Sequence, residues 1–369
     1  DHVTALPEES LQACPVDLIL TGGDYDFLLR ELLRRWDKPA EWPPGLWRRE
    51  GDRLVSTGPF RLHPDLEELP FIDRDLTRWR LYAFENGNFR ETPGTYIMAG
   101  RDCWWGKCTF CAWTTLYPRW RVRPPEQVAD EIGFLIERYG VREIFDDTGC
   151  FPAGQWLRRF CDLVIARGYP RRVTLGCNMI PGVLSQTQYD LMARAGFRFV
   201  LFGLESASQE TLTRIRKCGR AADIEQSVRM AKQAGLEPHV TCMVGYPWET
   251  EEQARATLRL TRSLFDRGYI DSLQATIVIP YPGTPLFREC QEKGWLKTED
   301  WDRYDMREPI MKTPMPDAVL MAMTRNLYRS FLTPRFLWRK LRSIRSWSDI
   351  RFYWRAGLRV LGHLLDFRG

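Results

Sequence analysis

Three cysteines, Cys103, Cys108 and Cys111, lie within one nine-residue segment of the chain. They follow a short apolar run at residues 95–99 that predicts a β-strand, so all three thiols lie on one loop at the end of that strand. A structural zinc site needs four protein ligands, whereas three thiolates on a cubic iron–sulfur cluster leave one iron free for a small molecule. The next cysteine downstream is Cys150, and no histidine is close in the chain. The spacing therefore predicts an open iron–sulfur centre.

This loop resembles that of the radical S-adenosylmethionine (SAM) enzymes, in particular the subgroup that carries a cobalamin-binding domain before the radical domain. The usual spacing in that family is three residues and then two; here it is four and then two, with the end Cys108-Thr109-Phe110-Cys111 kept. The resemblance covers nearly all of residues 1 to about 310. It implies that the three cysteines bind a 4Fe–4S cluster, which cleaves SAM reductively to a 5′-deoxyadenosyl radical. It also places Phe110 near the adenine.

Residues 95–310 alternate apolar strand patterns with helical segments whose apolar residues recur every three or four positions, as with Val128, Ile132, Leu135 and Ile136. Repeated strand–helix units predict right-handed crossovers and a parallel sheet. Six units make a partial (β/α)6 TIM-like barrel, the fold that the resemblance also implies, with reactive residues at the C-terminal ends of its strands. The expected strands are 95–100, 142–146, 172–177, 198–203, 238–244 and 272–279, and the expected helices are near 125–139, 153–167, 185–195, 221–234 and 249–267.

Two adjacent carboxylates, Asp146 and Asp147, follow the second strand of this series. The resemblance places them near the amino group of SAM. Strand alternation directs only one of the two into the barrel, and the sequence does not tell which. The alternative role is a helix N-cap for the segment that starts near Ala153.

The ends of the fourth and fifth strands carry further motifs of the family. The segment 202–207 contains Glu205 and Ser206, which the resemblance assigns to the ribose hydroxyls and to another polar group of the cofactor. In the segment 243–250, Gly245 permits close approach of the backbone to the cofactor. We expect the neighbouring Glu249, together with Glu251 and Glu252, to stabilise the start of the next helix instead.

The regions that flank the barrel are expected to form separate structural units. Residues 1–36 predict the end of a Rossmann-like, cobalamin-type domain, residues 37–94 a linker rich in Pro, Trp and Arg, and residues 311–369 a basic helical region, around a barrel at 95–310. The histidine motif that binds cobalt in the family is expected upstream of this chain, and His2 is not assigned to cobalt. Cobalamin is therefore expected as a cofactor of a longer protein.

The charge of the chain is concentrated in its C-terminal tail. The formal net charge is +5, but residues 330–369 hold nine basic and two acidic residues, so the rest is close to neutral, which argues against a nucleic-acid partner. From Ile350 onward, apolar residues and arginines occupy opposite faces of a predicted helix. This pattern suits a helix on an anionic membrane surface and equally a helix docked on the barrel with a solvated basic face. The apolar face holds Tyr353, Trp354, Leu358, Leu361, Leu364 and Leu365; the arginines are Arg351, Arg355 and Arg359.

The chain is therefore interpreted as a radical SAM enzyme of the cytoplasm, where thiols stay reduced; its tail allows a peripheral position on the inner face of the membrane. The chain has ten cysteines, and only those at 103–111 are closely spaced. This distribution suits a metal protein better than a disulfide scaffold. The resemblance implies cobalamin-dependent C-methylation of an unactivated carbon, or alternatively cyclisation or oxidation as in anaerobic Mg-porphyrin ester cyclases. It also implies an electron donor such as flavodoxin or ferredoxin, and a small-molecule or lipid-like substrate. A non-enzymatic iron–sulfur electron carrier is a further alternative, against which the motifs at the strand ends argue.

Overall fold

The N-terminal part of the chain forms a small antiparallel sheet. The computed structural model describes residues 2–85, 89–330, 338, 341–344 and 346–366. Helices α1 (His2–Ala5) and α2 (Pro7–Ala13) precede β1 (Leu18–Leu20), α3 (Tyr25–Arg34), β2 (Leu46–Glu50) and β3 (Arg53–Ser56). Strand β1 pairs antiparallel with β2, which pairs antiparallel with β3. Residues 1–36, predicted as the end of a Rossmann-like domain, and residues 37–94, predicted as a linker, thus contribute strands to one sheet.

A six-stranded parallel sheet forms the centre of the molecule. Its strands stand in chain order, and every neighbouring pair is parallel, which confirms the predicted partial (β/α)6 arrangement. Helix α4 (Trp79–Glu85) precedes this sheet, and a two-stranded ribbon of β5 (Gly100–Arg101) and β6 (Arg121–Val122) follows its first strand, with α5 (Trp113–Leu116) between them. The six strands are β4 (Gly94–Ile97), β7 (Glu143–Asp146), β8 (Thr174–Met179), β9 (Phe197–Glu205), β10 (Glu237–Val244) and β11 (Ser272–Ile277).

The helices cover one side of this sheet and bury their apolar faces against it. In α6, Val128, Ile132 and Leu135 are fully buried, as their spacing predicts, and Gly140 ends the helix at a φ of +63°. The five predicted helices are found as α6 (Pro125–Tyr139), α7 (Gly154–Ala166), α8 (Gln186–Arg194), α10 (Asp223–Gln233) and α11 (Glu251–Asp266). The sequence did not predict α9 (Gln209–Arg214) and α12 (Pro285–Glu292), and 3-10 turns lie at Pro39–Glu41, Arg74–Leu76, Tyr169–Arg171 and Trp301–Arg303.

A layer of aromatic rings crosses the concave side of the sheet. Tyr96 of β4 lies 5.9 Å from Phe145 of β7, Phe145 lies 5.9 Å from Phe199 of β9, and Phe199 lies 5.5 Å from His239 of β10, measured between ring centroids. The layer passes over β8 at Gly176, where a Cβ atom would come within 3.0 Å of the Phe145 ring. The missing side chain therefore lets the rings of β7 and β9 meet.

A network of buried charges closes the N-terminal ends of the strands. Glu143 of β7 accepts a hydrogen bond from Arg198 of β9 at 2.5 Å, and Arg198 also pairs with Glu237 of β10 at 2.5 Å. Arg90 pairs with Glu237 and with Asp349 of the C-terminal region. Each charge has an opposite partner, which offsets the cost of removing it from water. The network therefore joins the barrel to the C-terminal helix.

The C-terminal region forms α13 (Asp317–Ser330) and α14 (Trp347–Asp366). Helix α14 contacts the barrel through Asp349 and through Arg355, which donates to the carbonyls of Phe84 at 2.6 Å and Phe89 at 3.3 Å. Trp354 is 70% exposed, whereas Tyr353 is half-buried and its hydroxyl lies 2.9 Å from that of Ser343. The helix is thus docked through Asp349 and Arg355, while Arg351 stays exposed to solvent.

Part of the amphipathic pattern predicted for the tail falls on side chains that the structure does not describe. The side chains of Arg359, Leu361, Leu364 and Leu365 lie outside the described residues. None of the helices in the described part of the chain combines the length and the apolar character needed to cross a membrane.

Candidate metal and cofactor site

Residues 102–111, here the cysteine loop, are held in place by backbone hydrogen bonds on both sides. The Thr109 N–H donates to the Ile215 carbonyl at 3.0 Å, and the Thr109 carbonyl accepts from the Leu286 N–H at 2.9 Å. Asp102 begins the loop with a φ of +74°, a conformation that costs free energy for a residue with a side chain and is typical of functional sites. Gly106 occupies the same region at the turn of the loop. The hydrogen bonds of Thr109 therefore fix the loop, and the positive φ angles of Asp102 and Gly106 turn the chain at two points.

All three cysteines of this loop line one cavity of about 220 Å³ at the C-terminal ends of β8, β9 and β10, as the barrel fold predicts. Small-molecule sites typically hold roughly 300–1,000 Å³, so this cavity is smaller than is usual for such a site. Further residues of the lining are Phe110, Asn178, Leu201, Gly203, Glu205, Lys217, Cys218 and Thr241.

The three thiols do not form a single-ion site. Within the described ranges, no three His, Cys, Asp or Glu side chains are placed to hold one metal ion. A cube-shaped cluster binds its thiolates through separate iron atoms, so its ligands need not meet at one point. The chemistry of the donor set fits such a cluster: three sulfur ligands on one wall of a cavity, with the rest of that cavity open to a second molecule.

Burial and neighbouring groups set the protonation of these thiols. Burial raises the pKa of Cys108 to about 12 and also raises that of Cys111, while the Lys217 ammonium acts in the opposite direction on both. The pKa of Cys103 is lowered to about 6, because the Cys150 thiol forms a hydrogen bond with it. Metal ions deprotonate bound thiols outright, so iron would supply the positive charge that the buried pair lacks.

A buried ion pair between Glu205 and Lys217 stands beside the thiols. The Lys217 Nζ lies 2.6 Å from Glu205 Oε1, and Glu205 ends β9 at a φ of +60°. Burial lowers the pKa of Lys217, but the Glu205 carboxylate outweighs it, so the net shift is upward and the lysine stays charged. A Cβ atom at Gly203 would come within 2.2 Å of Glu205 Oε1 and 2.6 Å of Lys217 Nζ. Only glycine leaves room for this pair.

The two carboxylates after β7 do not line the cavity. Asp146 accepts the backbone N–H of Ala99 at 2.7 Å and of Thr148 at 3.0 Å, and burial raises its pKa to about 7. Burial raises the pKa of the Asp147 carboxyl, an effect that the Asn178 side chain partly offsets, and Asn178 does line the cavity. Neither carboxylate caps α7, whose N-cap has no side-chain hydrogen bond, so the N-cap alternative is wrong.

Ser206 and Gly245 also lie outside the cavity lining. The Ser206 hydroxyl lies 3.4 Å from the Thr257 hydroxyl and accepts from the Ser208 N–H at 3.1 Å. Gly245 has a φ of +93°, and a Cβ atom added to it would come within 2.6 Å of the Leu320 side chain of α13. Gly245 therefore lies against a helix in this structure, and its contact with a cofactor stays a prediction, whereas Phe110 and Glu205 line the cavity.

Glu249 departs from its expected place at the start of α11. That helix is capped by Thr250 together with Gln253 in a capping box. Glu249 is fully buried, and its Oε2 accepts the Gly245 N–H at 2.7 Å. It therefore closes the turn after β10 instead of stabilising the helix.

Residues 97–261 match the Radical SAM superfamily. The chain is 28% identical to an uncharacterized methyltransferase of Pyrococcus horikoshii, over 91% of this chain and 72% of that protein. It is 26% identical to the anaerobic magnesium-protoporphyrin IX monomethyl ester cyclase of Cereibacter sphaeroides, over 91% of this chain and 55% of the cyclase. The chain therefore spans little more than half the length of that cyclase.

Two solved structures share the fold. The cobalamin-dependent SAM radical enzyme OxsB superposes with a TM-score of 0.67 at 14% identity, over 98% of this chain and 57% of OxsB. The radical SAM methyltransferase TsrM of Kitasatospora setae superposes with a TM-score of 0.63 at 19% identity, over 81% of this chain and 58% of TsrM. At these identities the likeness concerns the fold. The family match itself covers the cysteine loop and the barrel strands β7 to β10, and it identifies residues 97–261 as a radical SAM domain, the kind of enzyme domain expected from the sequence.

Proposed function

We propose that this chain holds a 4Fe–4S cluster through Cys103, Cys108 and Cys111 and cleaves SAM reductively. The observation that carries the proposal is that the three thiols of one loop and Glu205 of β9 line one cavity. When bound, the cluster and SAM supply an electron and a carbon-centred radical, and the protein contributes binding, orientation and exclusion of water.

Different residues at the cavity bind different parts of SAM. Glu205 offers a carboxylate oxygen to the ribose hydroxyls, and Lys217 forms an ion pair with that carboxylate. Phe110 supplies an apolar wall for the adenine. We assign Asp147, through its contact with Asn178, to the amino group of SAM; both oxygens of Asp146 are already used by backbone N–H groups, so its role is structural.

Ser206 and Gly245 remain proposed contacts that depend on a rearrangement. Both are separated from the cavity by their present packing, Ser206 against Thr257 and Gly245 against Leu320. These two residues directly follow β9 and β10, whose C-terminal ends lie at the cavity.

Anaerobic reconstitution with iron and sulfide tests the cluster. The wild-type chain should bind about four irons and form 5′-deoxyadenosine from SAM under reduction. Replacing Cys103, Cys108 or Cys111 with alanine should abolish both. Cys161→Ala is the matched control, because Cys161 is fully buried in α7 and does not line the cavity. Product formation by the triple cysteine variant would refute the assignment.

The reaction that the radical serves is proposed from the relatives. The names of the two relatives include a methyltransferase and a cyclase, so we infer C-methylation of a small molecule, with cyclisation or oxidation as the second candidate. The fold likeness to OxsB, a cobalamin-dependent enzyme, supports cobalamin as the methyl carrier. A flavodoxin or ferredoxin would supply the electron. Methylcobalamin added to the reconstituted chain, with methylated and oxidised products resolved by mass spectrometry, separates these candidates.

We further infer that α14 attaches the protein peripherally to an anionic membrane. Trp347 and Trp354 are 84% and 70% exposed, and Arg351 and Arg142 are exposed on the same side, around one surface depression. Exposed tryptophans beside basic residues are typical of helices that lie in the membrane interface. Sedimentation with anionic vesicles should pull down the wild type at low salt and a Trp347→Ala/Trp354→Ala variant much less. Equal, negligible binding of both would exclude this role.

A further inference from the structure

The lengthened gap between the first two cysteines brings the cysteine loop to the protein surface. Of its four residues, Trp105 is half-buried, and Trp104, Gly106 and Lys107 are exposed. Lys107 directly precedes Cys108, so its ammonium group lies at the surface beside one of the proposed cluster ligands. This group lies 4.9 Å from the centroid of the Trp105 ring, and no carboxylate within the described ranges pairs with it. The gap therefore adds an exposed positive charge to the loop.

Trp105 connects this gap to a basic segment, residues 214–220. Its indole N–H donates to the Arg216 carbonyl at 2.6 Å. Four of the seven residues in the segment are basic, and three of their side chains pair with carboxylates. The pairs are Arg214 with Glu289 at 3.0 Å, Lys217 with Glu205 at 2.6 Å and Arg220 with Asp223 at 2.9 Å. The Arg216 side chain is exposed and, in the part of the chain that the structure describes, has no such partner.

Two cations without a carboxylate partner among the described residues therefore flank one indole ring. Lys107 lies over its face, and the Arg216 carbonyl accepts its N–H. Arg216 has a φ of +52°, a conformation that costs free energy and persists only where the surroundings hold it; the hydrogen bond from Trp105 is one such restraint. The Trp104 ring adjoins this group, with 6.5 Å between the two indole centroids. These four residues, Trp104, Trp105, Lys107 and Arg216, are here called the loop patch.

The composition of the loop patch suits contact with an acidic protein. Aromatic residues and arginine are enriched in protein interfaces, and exposed charges without a partner attract and orient a protein of opposite charge. The place of the patch narrows the choice of that protein. The gap residues directly follow Cys103 and directly precede Cys108. Because electron transfer slows steeply with distance, a protein seated on this patch lies where an electron donor to the cluster has to come.

We propose that the loop patch is the docking surface for an acidic one-electron carrier protein that reduces the cluster. The inference rests on the proposed function, because it requires a cluster on the cysteine loop. In the docked complex one electron passes from the reduced carrier to the oxidised cluster, and no bond forms or breaks. Lys107 and Arg216 attract the carboxylates of the carrier, and the two indoles supply apolar contact between them.

Anaerobic stopped-flow mixing of the reconstituted chain with an excess of fully reduced flavodoxin, an acidic carrier, tests the docking. The absorbance of the flavodoxin semiquinone reports each electron that leaves the carrier. Lys107→Glu/Arg216→Glu should oxidise flavodoxin about tenfold or more slowly than the wild type at low salt, because charge attraction accelerates association by roughly 10- to 1,000-fold. Added salt should slow the wild type and bring its rate close to that of the variant.

Two controls separate docking from other effects of the substitutions. Photoreduced 5-deazaflavin is small and uncharged, so it should reduce the clusters of the variant and the wild type at the same rate. Arg171→Glu/Arg194→Glu makes the same change of net charge at exposed residues that precede β8 and β9, away from the cavity ends of these strands, and should react with flavodoxin like the wild type. Arg216→Glu alone leaves the cysteine loop unchanged in sequence, should also be slowed, and keeps the test available if the double variant binds less iron.

Each unfavourable result has its own meaning. Equal rates with flavodoxin for the wild type and both loop-patch variants, at full iron content, overturn the docking surface and leave the proposed function intact. An equal slowing of Arg171→Glu/Arg194→Glu overturns it as well, because net charge would then be responsible. An equal slowing of Arg216→Glu with deazaflavin also overturns it, since the cluster itself would be altered. A wild-type chain that binds no iron through the three loop cysteines overturns the proposed function together with this inference.

Discussion

Replacing Glu249 with glutamine should make the folded chain more stable than the wild type at alkaline pH and leave it nearly unchanged at acidic pH. Glu249 is fully buried, its Oε2 accepts the Gly245 N–H, and its Oε1 has no hydrogen-bond partner among the described residues. A protonated carboxyl group suits this place better than a carboxylate. Glutamine has the shape of that neutral form and keeps an oxygen for the Gly245 N–H.

The magnitude follows from the protonation of Glu249. Burial raises its pKa to about 7 against the N–H groups of Gly245 and Tyr246, whereas a glutamate in the unfolded chain titrates near 4.5. The folded state therefore binds more protons between these two values, and the free energy of unfolding falls as the pH rises through them. The stabilisation is complete below about pH 4.5 and lost above about pH 7. At about 1.4 kcal/mol per pH unit the wild type loses about 3 kcal/mol from this group.

Urea unfolding of the apo chain at pH 5 and pH 8 measures the difference. The variant and the wild type should agree within about 1 kcal/mol at pH 5, and the variant should be more stable by up to about 3 kcal/mol at pH 8. Taking the difference removes the contribution of Asp146, whose pKa is also raised to about 7 by burial. Glu251→Gln is the control, since Glu251 is exposed on the next helix. A variant that is equally less stable at both pH values would refute the reasoning.

The remaining predictions concern the ion pair beside the thiols. Glu205→Ala should keep the cluster and bind SAM about ten- to a hundredfold more weakly, because a charge-assisted hydrogen bond contributes about 1.5–3 kcal/mol; anaerobic titration measures it, and an unchanged affinity would give Glu205 a purely structural role. Lys217→Met should cost about 3–5 kcal/mol of unfolding free energy because it leaves a carboxylate buried and unpaired; adding Glu205→Gln should recover most of this, and additive losses would contradict the pairing. Gly203→Ala places a Cβ 2.2 Å from the carboxylate, so its SAM affinity should fall like that of Glu205→Ala, and wild-type affinity would show that the pair can shift.

The parts of the fold that depend on local pattern were predictable from the sequence. The recurrence of apolar residues every three or four positions predicted the extent of α6. The alternation of strands and helices predicted the order of the strands in the parallel sheet. The spacing of the cysteines and the motif that contains Glu205 predicted residues on two sides of the cavity. These features are repeated along the chain or written in consecutive residues, so no knowledge of distant contacts is needed to infer them.

The features that the sequence did not reveal depend on contacts between distant segments. Lys217 is a lysine in a loop, and only the folded chain shows that it is buried against Glu205. Our proposal of Asp147 in place of Asp146 depends on the backbone N–H groups of Ala99 and Thr148, which donate to Asp146 and which the sequence does not locate. The face by which α14 docks is likewise decided by Arg90, far away in the chain. An amphipathic pattern identifies two faces of a helix and leaves open which one meets the barrel.

The attachment of α14 to the N-terminal ends of the strands separates this helix from the cavity. Asp349 of α14 is tied through Arg90 to Glu237, the first residue of β10, whereas Thr241, four residues farther along that strand, lines the cavity. At roughly 3.3 Å per residue, these four steps correspond to about 13 Å along the strand. A protein that rests on a bilayer through α14 would therefore carry its membrane contact and its cavity toward opposite ends of β10. Its substrate would then reach the cavity from the end of the strands that lies away from this attachment.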